Sequence, residues 1–403
     1  MLKQKYFLTD IFILSAERQP IKLAWRKIVW LHEYMKKILF MGNTAWSMYN
    51  FRRVVFSDLI SLGYIIYIVA PLDVKFQKEL EKLGCKFISL DIKAKGTNPF
   101  RDFILIFQIK KILEKVQPDF CFFYTIKPNI YGSIAASMLH IPHIAIITGL
   151  GYTFINHNLI SYIAKCLYKI ALVKAKEVWF LNKDDKETFV SKKIVKGTKV
   201  QLLPGEGIDL KRFSKKPMVP DVSFLLMARM LWDKGIGEFV EAAKFIKQRY
   251  PDTRFCLLGF IGVDNPTAIP KERIEEWCSM GLVEYLGVTS DVRPFIENCS
   301  CVVLPSYREG VPVSLLEGAA MGRPLITTDA AGCKEAVEDT VNGYLCEVKD
   351  VETLVSAMEK IILMSMEQRV TMGEAGRVKM QCEFDIKLVT ERYINTLHYY
   401  LGF

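Results

Sequence analysis

From Lys37 to Thr328 the sequence repeats one move: a short apolar run, a turn, then a stretch with apolar residues at helical spacing. The first runs are KILFM (37–41), YIIYIVA (64–70), KFISL (86–90), DFCFFY (119–124), HIAIIT (143–148), VWFL (178–181) and KVQLLP (199–204). Apolar strands joined by helices predict βαβ units, hence a parallel sheet buried on both faces. SKKPMVPD (214–221), with two prolines, interrupts the pattern and reads as a linker. The alternation then restarts with VSFLLMA (222–228), RFCLLG (254–259), VEYLG (283–287), CVVLP (301–305) and PLITT (324–328). Between them, 236–249 places Ile236, Phe239, Val240, Ala243 and Ile246 on one helical face. Ile386, Val389, Tyr393, Leu397 and Leu401 form one stripe of a closing helix. The expected fold is α/β, with two doubly wound Rossmann-like domains, 35–213 and 222–384, and a closing helix in 385–403. Ligands of such sheets bind beyond the carboxyl ends of the strands, so two facing sheets put the crevice between the domains.

A length of 403 residues suits two domains. The net charge of +10 hides an asymmetry. Residues 1–216 hold 35 Lys+Arg against 17 Asp+Glu, whereas 217–403 hold 19 against 27. On charge alone, the basic half suits nucleic acid, an anionic membrane or a phosphorylated substrate, and equally a merely solvated face. The ten cysteines are scattered, with no C-x-x-C pair, and several lie inside apolar runs. They read as buried reduced thiols of a cytoplasmic protein, and the five dispersed histidines add no metal site. No run reaches the roughly 18 apolar residues of a membrane span. Residues 1–34 do not resemble a signal peptide, and a natural-looking start lies at Met35. They are expected to be an appendage, either an over-called start or an amphipathic anchor.

Several nucleotide motifs are missing: G-x-G-x-x-G, G-x-x-x-x-G-K-[ST] and a metal–diphosphate D-x-D. LMARMLWDKG (226–235) instead sets Arg229 and Lys234 five apart in the turn between a strand and a helix. Two cations beside a helix N-terminus can hold a diphosphate without metal, although two solvated lysine-like cations would look the same. CVVLPSYREGVPVSLLEGAAMGRP (301–324) reads as strand, loop, helix. Pro312 falls near the first helical turn, Glu309 and Gly310 on the loop, and Glu317 about a turn and a half into the helix. A carboxylate at Glu317 can accept two hydroxyl hydrogen bonds, as a ribose diol offers, and Gly310 admits a ligand close to the backbone. The pair does not face itself across a cleft as glycosidase carboxylates do.

R-x-x-x-x-K after one strand and E-G-x-P-x-x-x-L-E after a later one resembles the retaining family 4 glycosyltransferases of the GT-B type. The resemblance covers about 35–400, and LPSYREGVPVSLLEGAAMGRPLITTDAAGCKE, TIKPNIYGSIAA (125–136) and TGLGYTF (148–154) extend it. It is similar to the bacterial branch that lengthens polyprenyl-diphosphate-linked sugars for glycans, capsule and O-antigen. The resemblance implies transfer of a sugar, an N-acetylhexosamine by expectation, from a UDP-sugar, without metal or other cofactor. It implies that Arg229 and Lys234 bind the donor diphosphate and Glu309 the donor sugar, these three being the catalytic group. It further implies that Gly310, Val311, Pro312 and Val313 offer backbone donors and Glu317 holds the ribose. The base would rest near Tyr285, Leu286 and Gly287, and Gly207 would line the hinge side. The acceptor would meet the loop GNTAWSMYNFR (42–52), with Asn43 and Thr44 in it, and Lys127, Asn129 and Tyr131. Many relatives carry a histidine where this chain has Ile126, with Tyr124, Thr125 or Lys127 as possible substitutes. The basic helix 159–180 then suits an anionic membrane, placing the protein on the inner face of the cytoplasmic membrane, with no nucleic acid as partner. An epimerase of the same architecture, or a non-catalytic nucleotide-sugar binder, would carry much of the same pattern.

Overall fold

The computed structural model describes residues 35–92, 99–150 and 159–402. The appendage 1–34 and most of TGLGYTF lie outside the described residues. Seven parallel strands form the first sheet: β1 (Lys37–Met41), β2 (Ile65–Ala70), β3 (Lys86–Ser89), β4 (Phe120–Tyr124), β5 (His143–Ile147), β6 (Glu177–Phe180) and β7 (Val200–Leu202). Their spatial order is β3-β2-β1-β4-β5-β6-β7. Six more form the second: β8 (Ser223–Met227), β9 (Arg254–Leu258), β10 (Glu284–Tyr285), β11 (Cys301–Leu304), β12 (Leu325–Thr328) and β13 (Gly343–Cys346), in the order β10-β9-β8-β11-β12-β13. Each sheet is built outward in one direction and then crosses back. The turns after β1 and β4, and those after β8 and β11, therefore diverge and leave a crevice at each switch point.

Alternation along the strands sorts the first sheet into two buried faces. Ile38, Phe40, Phe122, Tyr124, Ile144, Ile146 and Trp179 point to one, against Met48, Val55, Phe56 and Leu59 of the helix Ala45–Ser61. Leu39, Met41, Cys121, Phe123, Ala145, Ile147, Val178 and Phe180 point to the other. That second face is covered by Leu105, Ile109 and Leu113 of the helix Pro99–Val116 and by Tyr168 of the helix Leu159–Ala171. The cysteines follow the apolar runs: all ten are free thiols and seven are buried.

The closing helix, Ile386–Leu401, belongs spatially to both domains. Ile386, Val389, Tyr393 and Leu397 are buried, and the Tyr393 hydroxyl meets that of Tyr124 at 2.7 Å. Its entry pairs with the hinge, because Ile208 donates to the Phe384 carbonyl at 2.8 Å and Ile386 to the Ile208 carbonyl at 3.1 Å. The linker is clasped by arginine. Buried Arg323 donates to the carbonyls of Pro217 (2.7 Å) and Ile296 (2.9 Å), and Arg369 to that of Pro220 (3.0 Å). No described helix is long and apolar enough to cross a membrane.

Candidate active site

Between the sheets lies a cleft of about 330 Å³. Its second-domain wall is made where β8 and β11 end. Arg229, in the turn after β8, lines the cleft and is exposed, and its guanidinium has no hydrogen-bond or ion-pair partner among the described residues. Trp232–Lys234 follows as a tight 3₁₀ turn leading into the helix Ile236–Arg249. Lys234 crosses to the loop after β11 and forms an ion pair with Glu309. The Ser306 hydroxyl donates to the same Glu309 oxygen at 2.8 Å. The two loops are also joined by backbone: Tyr307 N–H donates to the Asp233 carbonyl at 3.0 Å, and the Ser306 hydroxyl reaches it at 3.1 Å. Cation and carboxylate, 75 residues apart, are thus held as one unit.

The helix Val313–Ala320 points its N-terminus at the cleft. Pro312 precedes it without a side-chain cap, so the first-turn amides of Val313 and Ser314 lack intrahelical partners and can meet an anion. One part of the expectation needs correcting. Pro312 has no N–H and cannot be a donor, and Val311, its side chain buried against Gly205, does not line the cleft. Glu317, a turn further on, lines the cleft, and its carboxylate has no hydrogen-bond partner among the described residues. Burial, reinforced by the Asp291 charge, pushes its carboxyl up to about 8.

The far end of the cleft is shifted from the expected place. Gly259, Phe260, Val288, Thr289 and Ser290 line it, not Tyr285, Leu286 and Gly287. Tyr285 donates its hydroxyl to the Gly259 carbonyl at 2.8 Å, and Gly259 N–H donates to the Gly287 carbonyl at 2.9 Å. The three residues brace the lining loop from behind. Gly207 does line the hinge side, at φ +76°, where any Cβ would press on Ile386 and Val389 at 2.9 Å.

The first-domain wall comes from the helix Ala45–Ser61, through Trp46, Asn50, Phe51, Arg53 and Val54. Asn43 is half-buried and, like Thr44, is not among the lining residues; Thr44 spends its hydroxyl as the N-cap, accepting from Ser47 N–H at 3.1 Å. Three expected acceptor residues are otherwise engaged. Asn129 is fully buried, donating to the Ile146 carbonyl at 2.9 Å and accepting from Ile146 N–H at 3.2 Å. Its amide locks a π-helical turn, Pro128–Gly132, onto β5 and cannot face a ligand. Lys127 and Tyr131 both bond Asp102 at 2.8 Å. At the position of the family histidine, Ile126 packs into the apolar core and Tyr124 is buried. Thr125 alone has an unusual backbone, φ +67°, rare for a β-branched residue and typical of functional turns.

Sequence reasoning passed over Arg52 and Glu206. Arg52, buried in the helix Ala45–Ser61, forms an ion pair with buried Glu206 of the hinge. Its guanidinium lies 3.7 Å from the Tyr124 ring centroid. A charged residue on the otherwise apolar buried face of an amphipathic helix was the available signal.

Two facing Rossmann-like domains with cations and carboxylates at their switch points define a GT-B glycosyltransferase architecture. The family model for Glycosyl transferase 4-like proteins matches residues 37–182, and that for Glycosyl transferases group 1 matches 221–363. The chain belongs to this glycosyltransferase family and is a sugar-transferring enzyme. Among relatives, it is 30% identical over 384 residues to the N,N'-diacetylbacillosaminyl-diphospho-undecaprenol alpha-1,3-N-acetylgalactosaminyltransferase of Campylobacter jejuni, covering 89% of this chain and 97% of that protein. It is 24% identical over 279 residues to the UDP-Gal:alpha-D-GlcNAc-diphosphoundecaprenol alpha-1,3-galactosyltransferase of Escherichia coli, covering 65% and 70%. In fold it matches a Rickettsia africae glycosyltransferase (TM-score 0.74, 19% identity, 91% of this chain and 99% of that one). It also matches Anabaena HepE in complex with UDP and glucose (TM-score 0.74, 16% identity, 90% and 100%).

Proposed function

We propose that the enzyme moves a sugar, with retained configuration, from a UDP-sugar to a polyprenyl-diphosphate-linked saccharide in the assembly of a bacterial surface glycan. The observation that carries this reading is the grouping of Arg229, the Lys234–Glu309 pair and the Glu317 carboxylate along one wall of the cleft. Their order suits a nucleotide sugar: Glu317 at the ribose, Arg229 and Lys234 at the diphosphate, Glu309 at the sugar. The names of the Campylobacter and Escherichia relatives supply the acceptor class, and that of the Escherichia relative names a UDP-linked donor.

The chemistry follows from charge. As the bond from the sugar's anomeric carbon to the diphosphate breaks, its electron pair moves to the leaving oxygen. Arg229, Lys234 and the amides of Val313 and Ser314 stabilise that growing negative charge. The acceptor hydroxyl attacks from the same face, and its proton passes to the leaving phosphate. No metal is required in this scheme, because fixed cations do the work.

The acceptor would come from an anionic membrane face. On the helix Leu159–Ala171, Ala164 and Tyr168 turn inward while Tyr162, Ile163 and Ile170 are exposed beside Lys169. The helix Pro99–Val116 likewise exposes Phe103, Ile104 and Phe107, with Lys111 beside them. Both pack on the segment 128–138, so they flank one side of the first domain. Exposed apolar side chains among lysines suit a headgroup layer better than water.

The donor is decided by thermal stabilisation with a panel of UDP-sugars, where an N-acetylhexosamine conjugate is expected to raise the melting temperature most. Stabilisation by another nucleotide and by no uridine compound would contradict the reading.

A further inference from the structure

The loop bearing Glu309 is gripped from the opposite domain. Asn182, the second residue after β6 and almost fully buried, caps the helix Lys183–Ser191, its Oδ1 accepting from Asp185 N–H at 2.8 Å. Its Nδ2 has two hydrogens and two directions. One lies toward Asp185 Oδ2 at 3.2 Å. The other reaches across the cleft to the Gly310 carbonyl at 2.7 Å, with the Glu309 carbonyl at 3.3 Å. Asp185 has no exposure, and its second oxygen holds the guanidinium of Arg308. Two side chains of the first domain thus bind three consecutive residues of the second, Arg308, Glu309 and Gly310.

Packing leaves the loop little other freedom. A Cβ on Gly310 would collide with the Thr148 carbonyl, and one on Gly149 would stand 3.0 Å from Gly310 N. Behind the loop, Glu309 N–H donates to the Ala331 carbonyl at 2.9 Å, and a Cβ on Gly332 would strike the Glu309 carbonyl. The Glu309–Gly310 peptide is held between the two domains like a card in a slot. On its other side, the Glu309 carboxylate meets Lys234.

We propose that Asn182 is a positioning residue. Through the Asn182–Asp185–Arg308 cluster, the first domain sets the orientation of Glu309, so that the sugar-facing carboxylate is aligned only when the domains are closed. This rests on Glu309 facing the donor sugar, and deepens that reading. The nucleotide end of the site, Arg229 and Glu317, belongs entirely to the second domain, so the grip governs turnover and leaves nucleotide affinity untouched.

The test is Asn182→Ser in the full chain. Serine caps a helix as well as asparagine does but has no amide to reach the Gly310 carbonyl. Asn182→Asp, also a good cap, is the second variant and places a carboxylate where the loop's carbonyls need a donor. Asn182→Ser is expected to keep the wild-type melting temperature within a few degrees, whereas Asn182→Asp, which buries a second carboxylate beside Asp185, is expected to lower it; both should bind UDP within twofold of wild type. Hydrogen exchange across residues 308–311 is expected to quicken. Turnover should fall about 10- to 100-fold, the loss that follows when a reacting group is misplaced by an ångström. Unchanged exchange across 308–311 in both variants overturns the grip. Faster exchange with turnover within twofold of wild type overturns the positioning role. The exchange measurement needs no donor, so it decides the grip even if the wild-type enzyme uses no UDP-sugar, an outcome that would count against the donor assignment instead.

Discussion

Lys234 and Glu309 form an ion pair in the cleft wall, each side chain mostly shielded from water. The cation proposed for the diphosphate and the carboxylate proposed for the sugar therefore hold each other in place. This preorganises both and avoids an uncompensated charge in a narrow site. Lys234→Ala removes the charge aimed at the leaving group and strands Glu309. Turnover is expected to fall about 10²- to 10³-fold, the usual loss for one electrostatic donor to developing charge. Steady-state kinetics checks it, and near-wild-type rates would remove Lys234 from the mechanism.

Glu317 gives the site a pH signature. Its carboxyl is pushed up to about 8, above its ordinary value of 4.5, so folding favours the neutral form. The sign follows from linkage: stability from this group is present at low pH and lost as pH rises from about 4.5 to 8. The ligand-free Glu317→Gln variant should thus be relatively more stable at pH 8 than at pH 5, each kcal/mol appearing as about 2–4 °C in melting temperature. A ribose diol donating into the carboxylate favours its ionised form, so UDP binding near pH 7 should release a proton. Calorimetry in buffers of different ionisation enthalpy reads that release, which should vanish in Glu317→Gln. Equal release in both proteins would assign the proton to another group.

At the hinge, Arg52 and Glu206 are both buried, and removing one leaves the other unpaired. Glu206→Ala is expected to cost about 3–5 kcal/mol, whereas Arg52→Met with Glu206→Leu should cost much less. Thermal denaturation of the single and double variants checks the order. A double variant less stable than either single one would show the pair to be net stabilising.

The exposed faces of Pro99–Val116 and Leu159–Ala171 predict binding to vesicles containing anionic lipid, weakened by salt but not abolished, since apolar side chains contribute. Co-sedimentation across a salt series measures this. Equal binding to neutral and anionic vesicles would contradict the charge component.

Much of this was legible in the sequence because each buried strand is a continuous apolar run. Twelve strands stand where the apolar runs fall, most of them the full run or a residue or two shorter, whereas β7 and β10 keep only three and two residues and β6 begins one residue early at Glu177. β13 escaped because GYLC opens on a glycine, where a Cβ would collide with the Leu325 carbonyl, and its apolar run is correspondingly short. In the site, the placing of Arg229, Lys234, Glu309 and Glu317 along the cleft was readable because each pair, Arg229 with Lys234 and Glu309 with Glu317, lies within one strand–loop–helix unit. The acceptor side was less readable. Asn129 and Tyr131 sit on a π-helical turn whose register turns them inward, and Asp102, which engages Lys127 and Tyr131, lies 25 residues before that lysine. Asn182 was silent for the same reason: its partner is 128 residues away.

The most direct test is to incubate the purified enzyme with radiolabelled UDP-sugar and a polyprenyl-diphosphate-linked saccharide in the presence of EDTA, and to follow label into the lipid. The account predicts transfer into the lipid fraction with the donor's anomeric configuration retained. Release of free epimer, absence of any transfer, or activity abolished by EDTA would contradict it.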